Sequence, residues 1–130
     1  MNLSLEQLNQ EIGNAALAVA QDIKGKLVIY AEVENGVVSA DIFYVNYEGI
    51  VRFLFCPKPT KMLIYSFWDQ WKKHPGKCEW RVMCYVIDEG RFKVNLIYPD
   101  KLNKNERVSD RRPLAVKKYF GDMKVDYSRP

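Results

Sequence analysis

The sequence predicts an α+β domain: an antiparallel sheet of about five strands, ordered helix, three strands, helix, two strands, helix, with the helices packed on its inner face. Three observations lead there. An amphipathic helix signature opens the chain, an Asn35-Gly36 hairpin signal is flanked by alternating apolar residues, and a second hairpin signal stands at Glu89-Gly90. The 130 residues, 48% hydrophobic and 28% charged, suit one domain spanning 1–130.

Ser4 and Gln7 have capping-box spacing, with Leu3 and Leu8 at the staple positions. Leu8, Ile12, Ala15, Ala16, Val19 and Ile23 then recur every three or four residues, which predicts a helix over about 5–23 closed by Gly25. Lys26 to Glu34 and Val37 to Val45 follow as strands. Pairing Glu34 with Val37 sets Val33 against Val38, Ala31 against Ala40, Ile29 against Ile42 and Leu27 against Tyr44, an almost wholly apolar face.

The turn Asn46-Tyr47-Glu48-Gly49 has a glycine where a left-handed residue is needed. With Val45 opposite Ile50, it turns Val51, Phe53 and Phe55 inward, opposite Tyr44, Ile42 and Ala40. Pro57 and Pro59 end the sheet, and a short helix over about 61–73 stops at His74-Pro75-Gly76. Cys78 to Ile87 and Phe92 to Tyr98 form the second hairpin, pairing Ile87 with Phe92, Tyr85 with Val94 and Met83 with Leu96. Residues 99–112 read as a loop, and Pro113 opens a short closing helix that ends before Gly121.

The net charge is +4, unevenly spread: residues 1–55 hold three basic and seven acidic groups, whereas 101–130 hold nine and four. No apolar run approaches the roughly 18 residues of a membrane span, and the polar start has no basic leader. A cytoplasmic protein without membrane association is expected. Cys56, Cys78 and Cys84, odd in number and without CxxC spacing, read as reduced core thiols.

Catalytic signatures are missing: there is no phosphate-binding glycine loop, nucleophile elbow or HExxH. His74, the only histidine, reads as a solvated helix cap, and a lone His with scattered Cys lacks the ligand count of a zinc site. The expectation is a non-enzyme with no catalytic residue, no cofactor and no metal.

The register leaves an outer sheet face of mixed character: Val28, Tyr30, Glu32 and Glu34, then Ser39, Asp41, Phe43 and Val45, then Ile50, Arg52 and Leu54. Aromatic groups supply contact area and charges supply orientation, a mixture suited to a protein partner. Tyr30, Glu32, Asp41, Phe43 and Glu48 are therefore the candidate partner contacts, and the acidic groups match the basic surface of a nuclease.

The opening helix leading into Leu27-Val28-Ile29-Tyr30-Ala31-Glu32-Val33, the segment Glu79-Trp80-Arg81, the hairpin Gly90-Arg91-Phe92-Lys93-Val94 and the tail Ala115-Val116-Lys117-Lys118-Tyr119-Phe120-Gly121 together resemble the YezG-like group of bacterial immunity proteins and antitoxins. The likeness runs loosely from about residue 4 to 121. It departs at Phe67-Trp68-Asp69-Gln70-Trp71-Lys72-Lys73, where that group commonly carries a long acidic helix. The resemblance implies a domain without catalysis or cofactor that neutralises a cognate toxin, often a nuclease of a polymorphic or contact-dependent growth-inhibition system. The alternative is a small RNA- or DNA-binding module using the basic segments around Lys58 to Lys77 and Lys101 to Lys124.

Overall fold

The computed structural model describes residues 3–128. Its elements are α1 (Leu5–Val19), β1 (Ile23–Glu34), β2 (Val37–Asn46), β3 (Val51–Phe55), α2 (Lys58–Lys73), β4 (Val82–Asp88), β5 (Arg91–Ile97), a 3-10 turn at Pro99–Lys101, α3 (Val108–Phe120) and β6 (Val125–Asp126). The fold is α+β, as expected.

The capping box forms: the Gln7 amide donates to Ser4 Oγ at 3.1 Å and the Ser4 amide donates to Gln7 Oε1 at 2.8 Å. Leu8, Ile12 and Ala16 are buried along one stripe of α1. The helix ends at Val19, earlier than the expected residue 23, because Ile23 already belongs to β1, which carries a bulge before Leu27. Gly25 is thus a strand residue rather than a helix stop.

The first hairpin has the expected pairs, from Glu34↔Val37 through Ile29↔Ile42 to Leu27↔Tyr44, and Asn35 and Gly36 both take positive φ. The second hairpin also pairs as expected, from Asp88↔Arg91 to Met83↔Leu96. It is not a separate unit: β4 pairs with β1, placing Tyr85 beside Ile29. One continuous sheet results, ordered β5-β4-β1-β2-β3-β6, with β1 central.

The β2–β3 pairing corrects the expected register by one residue. The Asn46 amide donates to the Ile50 carbonyl at 2.9 Å, so Asn46 joins the ladder and only Tyr47, Glu48 and Gly49 form the loop. Val45 then opposes Val51, and Phe43 opposes Phe53. Asn46 Oδ1 accepts from the Glu48 and Ile50 amides at 3.0 and 3.1 Å and holds this tighter turn. Val51, Phe53 and Phe55 consequently share a face with Phe43, while Arg52 and Leu54 turn toward Ile42 and Tyr44.

Two cores follow. On one face, α1 and α2 cover Ile29, Ala31, Ile42, Met83, Tyr85 and their neighbours. On the other, Val116 and Phe120 of α3 cover Val28, Tyr30, Phe43, Phe53, Val82 and Cys84. The expectation that the helices pack on one inner face is corrected by topology. The chain leaves β5 at one edge of the sheet and must reach β6 at the other, where β6 pairs parallel to β3, and it crosses over the face that α1 and α2 leave free. This sixth strand was not expected.

The remaining boundaries shift for local reasons. α2 begins at Lys58, with Pro59 tolerated in its first turn. Residues 78–81 lie outside β4. α3 begins at Val108, so Pro113 is interior rather than first. Its first turn is held by the Asp110 carboxylate, which accepts from the Arg107 amide at 2.9 Å. Cys56 and Cys84 are buried thiols as expected, but Cys78, beyond the end of α2, is exposed. His74 caps α2 in the open, its amide donating to the Trp71 carbonyl at 3.1 Å.

Candidate functional site

Along β1, Val28, Tyr30 and Glu32 point to the α3 face at alternate positions. Glu32 is nearly inaccessible, and a carboxylate buried there needs partners. It has four. Arg111 of α3 donates to it twice, from Nε at 2.9 Å and from Nη2 at 2.6 Å. The Tyr30 hydroxyl donates at 2.5 Å, and Arg81 Nη2 stands 3.3 Å away while also reaching Glu34 at 2.9 Å. Arg111 Nη1 further donates to the Glu106 carbonyl at 2.7 Å, tying the loop before α3 to the same centre.

The electrostatics follow from this packing. Burial, reinforced by the adjacent Glu32 carboxylate, pushes the Tyr30 phenol far above its usual range. Hydrogen bonding to Glu32 holds the Arg111 guanidinium still more firmly charged.

A second pair lies one strand over, where Arg112 Nη1 donates to Asp41 at 2.7 Å. The Arg112 guanidinium also lies 5.7 Å from the centre of the Phe53 ring. Phe53 is the hub of an aromatic cluster, with ring centres 5.3 Å from both Phe55 and Tyr127, and Phe43 sits 5.3 Å away on the neighbouring strand. Phe43 and Phe53 are buried, but Phe55 and Tyr127 are 64% and 52% exposed. The cluster therefore breaks the surface at the β3–β6 edge.

The structure places the five expected contacts as follows. Tyr30, Glu32, Asp41 and Phe43 do lie together on one face, but all four are buried beneath α3 and its arginines. The expectation of an exposed face is corrected there: a side chain with no accessible surface has none to offer a partner. On β1 and β2, Glu34 and Ser39, near the first hairpin turn, stay open on that face, as does Phe55 on β3. Glu48 is exposed in the β2–β3 turn, at the opposite end of the strands from Glu32, with Tyr47 beside it.

Sequence reasoning missed Arg111 and Arg112 as partners of the sheet, although adjacent arginines in a basic tail facing two acidic strand positions were a readable signal. It missed Phe55 and Tyr127 as surface groups, the former through the register slip. The Arg111–Glu32 and Arg112–Asp41 pairs cancel part of the charge contrast between the two ends of the chain. Among the described residues, no group of three or more His, Cys, Asp or Glu is placed to hold a metal ion.

Fold and surface together define an α+β domain with a sheet buried on both faces and an exposed aromatic edge. No known family model and no curated protein matches the chain.

Proposed function

We propose that this chain is an immunity protein or antitoxin that binds a cognate bacterial toxin, a nuclease effector of a polymorphic or contact-dependent system, and neutralises it by covering its active surface. The observation that carries the reading is the exposed aromatic edge formed by Phe55 and Tyr127. These rings are backed by Phe53 and bordered by the Arg112–Asp41 pair. Rings already packed against a rigid sheet lose little freedom on binding, and aromatic centres with a charged border are the usual seat of binding energy in protein interfaces. Glu48 and Tyr47, held on the Asn46 turn, supply a second point of contact with acidic character.

The likeness to the YezG-like group supports the same reading, which assigns occlusion to the protein and no catalysis. Under this reading the protein acts in the cytoplasm. Among the described residues no helix is long and apolar enough to cross a membrane.

The test is co-expression with the product of the adjacent upstream gene, followed by co-purification and a growth-protection assay. The complex is expected, and Phe55→Ala with Tyr127→Ala should weaken it about 30-fold or more without lowering the melting temperature by more than a few degrees. A neighbour that encodes no toxin, together with no protection, removes the reading.

One observation favours the nucleic-acid alternative: Lys101, Lys104, Arg107, Lys117 and Lys118 are exposed, and none forms an ion pair among the described residues. Affinity for single- or double-stranded nucleic acid that falls steeply with salt would establish it, and no binding at low salt would eliminate it.

A further inference from the structure

α3 covers the sheet unevenly. Its buried apolar side chains, Val116 and Phe120, pack toward Val28, Phe43 and Phe53 in the middle of the sheet. Over β4 and β5 it presents the small Ala115, with Leu114, Lys118 and Tyr119 around it. The result is a cleft of about 470 Å³ between α3, the outward side of β4–β5 and the loop after the 3-10 turn. That is the size of a site for a small organic molecule.

The floor is apolar, formed by Val82, Cys84 and Ile97, and Leu114, 62% exposed, stands at the mouth. Burial pushes the Cys84 thiol up, so the floor stays uncharged. Polar groups line it as well, Asn95 standing opposite Cys84 in the β4–β5 ladder. The Tyr119 hydroxyl accepts from Asn95 Nδ2 at 3.0 Å and stands beside the Cys84 thiol.

Lys101 and Lys118 also line the cleft, both are exposed, and neither forms an ion pair among the described residues. The third cation, Arg111, is spent on Glu32, and the one carboxylate in the lining is Glu106. Two free ammonium groups against one carboxylate leave the mouth positive over an apolar floor.

We propose that this cleft binds a small amphipathic carboxylate, with an apolar body lying on Val82, Cys84 and Ile97 and its anionic group drawn to the exposed ammonium groups of Lys101 and Lys118. The proposal stands on the cleft alone and does not depend on the toxin-binding reading, whose surface is the β3–β6 edge.

The experiment titrates the isotope-labelled full chain with naphthoate and, in parallel, with its neutral amide, following backbone amide shifts. Saturable binding of naphthoate is expected, with shifts centred on Cys84, Asn95, Ile97 and Ala115, and the amide should bind about tenfold more weakly. Lys101→Ala combined with Lys118→Ala, two exposed positions that the fold tolerates, should remove that tenfold preference. Ala115→Leu should abolish binding of both compounds, with its melting curve recorded to show that it folds. Absence of saturable shifts, equal affinity for acid and amide, or a preference untouched by the lysine changes would each overturn the proposal.

Discussion

The Glu32 carboxylate and the Arg111 guanidinium, 79 residues apart in the chain, meet through two parallel hydrogen bonds of 2.9 and 2.6 Å beneath α3. The pair joins the central strand to the last helix and makes a charge acceptable where the sheet is otherwise apolar. Removing Arg111 leaves the buried carboxylate with only the Tyr30 hydroxyl and the longer Arg81 contact, which is more damaging than replacing both members of the pair. Arg111→Ala should therefore destabilise by about 3–5 kcal/mol, whereas Glu32→Leu combined with Arg111→Met should lose much less. Urea unfolding of the three proteins measures this. A single-variant loss below about 1 kcal/mol would show that α3 does not depend on the pair.

Register at β2–β3 has an equally direct reading. Phe43 and Phe53 oppose each other and are both buried, so truncating either to alanine should cost about 3–5 kcal/mol. Phe55→Ala, at a largely exposed ring, should cost under about 1 kcal/mol. If Phe43→Ala were mild and Phe55→Ala severe, the strand would be paired one residue out.

Gly13 offers a test in which packing opposes propensity. It lies on the buried side of α1, where Ala would ordinarily gain about 1 kcal/mol of helix stability. A Cβ there would stand 2.3 Å from the Phe92 ring and 2.6 Å from the Tyr85 hydroxyl, which itself donates to the Asn9 carbonyl. Gly13→Ala should thus be net destabilising, by about 1–2 kcal/mol once overpacking is set against propensity. Thermal melting of the variant decides the sign, and a rise in midpoint would mean that α1 stands off from β5.

Stability should fall under alkaline conditions. Burial raises the Cys56 thiol from 9.0 to about 12, and burial with the Asp22 carboxylate raises the Tyr44 phenol from 10.0 to about 12. A group whose pKa is raised by folding holds its proton more tightly in the folded state. Its contribution is complete below the unfolded value and is lost as pH climbs toward the folded one. Urea midpoints should hold to about pH 9 and decline from there to pH 12, and Tyr44→Phe should flatten part of that decline. The same burial predicts that iodoacetamide at pH 8 labels only Cys78 on the folded chain and all three thiols once it is unfolded. Rapid labelling of Cys56 or Cys84 in the native protein would contradict it.

Much of this domain was legible because its signals are local. The Ser4–Gln7 box and the apolar stripe of α1 involve contacts within one or two turns of chain. Asn35-Gly36 admits the positive φ angles that a two-residue hairpin needs, and Glu89-Gly90 takes them as well, so each turn fixes the register of the strands beside it. The Asn46–Gly49 turn was recognised by type but miscounted by one residue. Nothing in the alternation of Val51, Phe53 and Phe55 could correct that, because both faces of the neighbouring strands are apolar and either register sets Val51 and Phe53 against a core.

By itself the sequence determined the α+β class, the two tight hairpins with their pairing and the capped first helix. Each depends on backbone conformations and side-chain periods within a few residues. Only the tertiary structure decided that β4 docks beside β1, that α3 crosses the far face to deliver β6, and that Arg111 and Arg112 neutralise Glu32 and Asp41. Those outcomes depend on where distant segments meet, and the free energy of desolvating a charge is set by the partner it finds there, which no local pattern records. The face expected to greet a partner became a second core for that reason, and the aromatic rings left exposed at the sheet's edge are Phe55 and Tyr127.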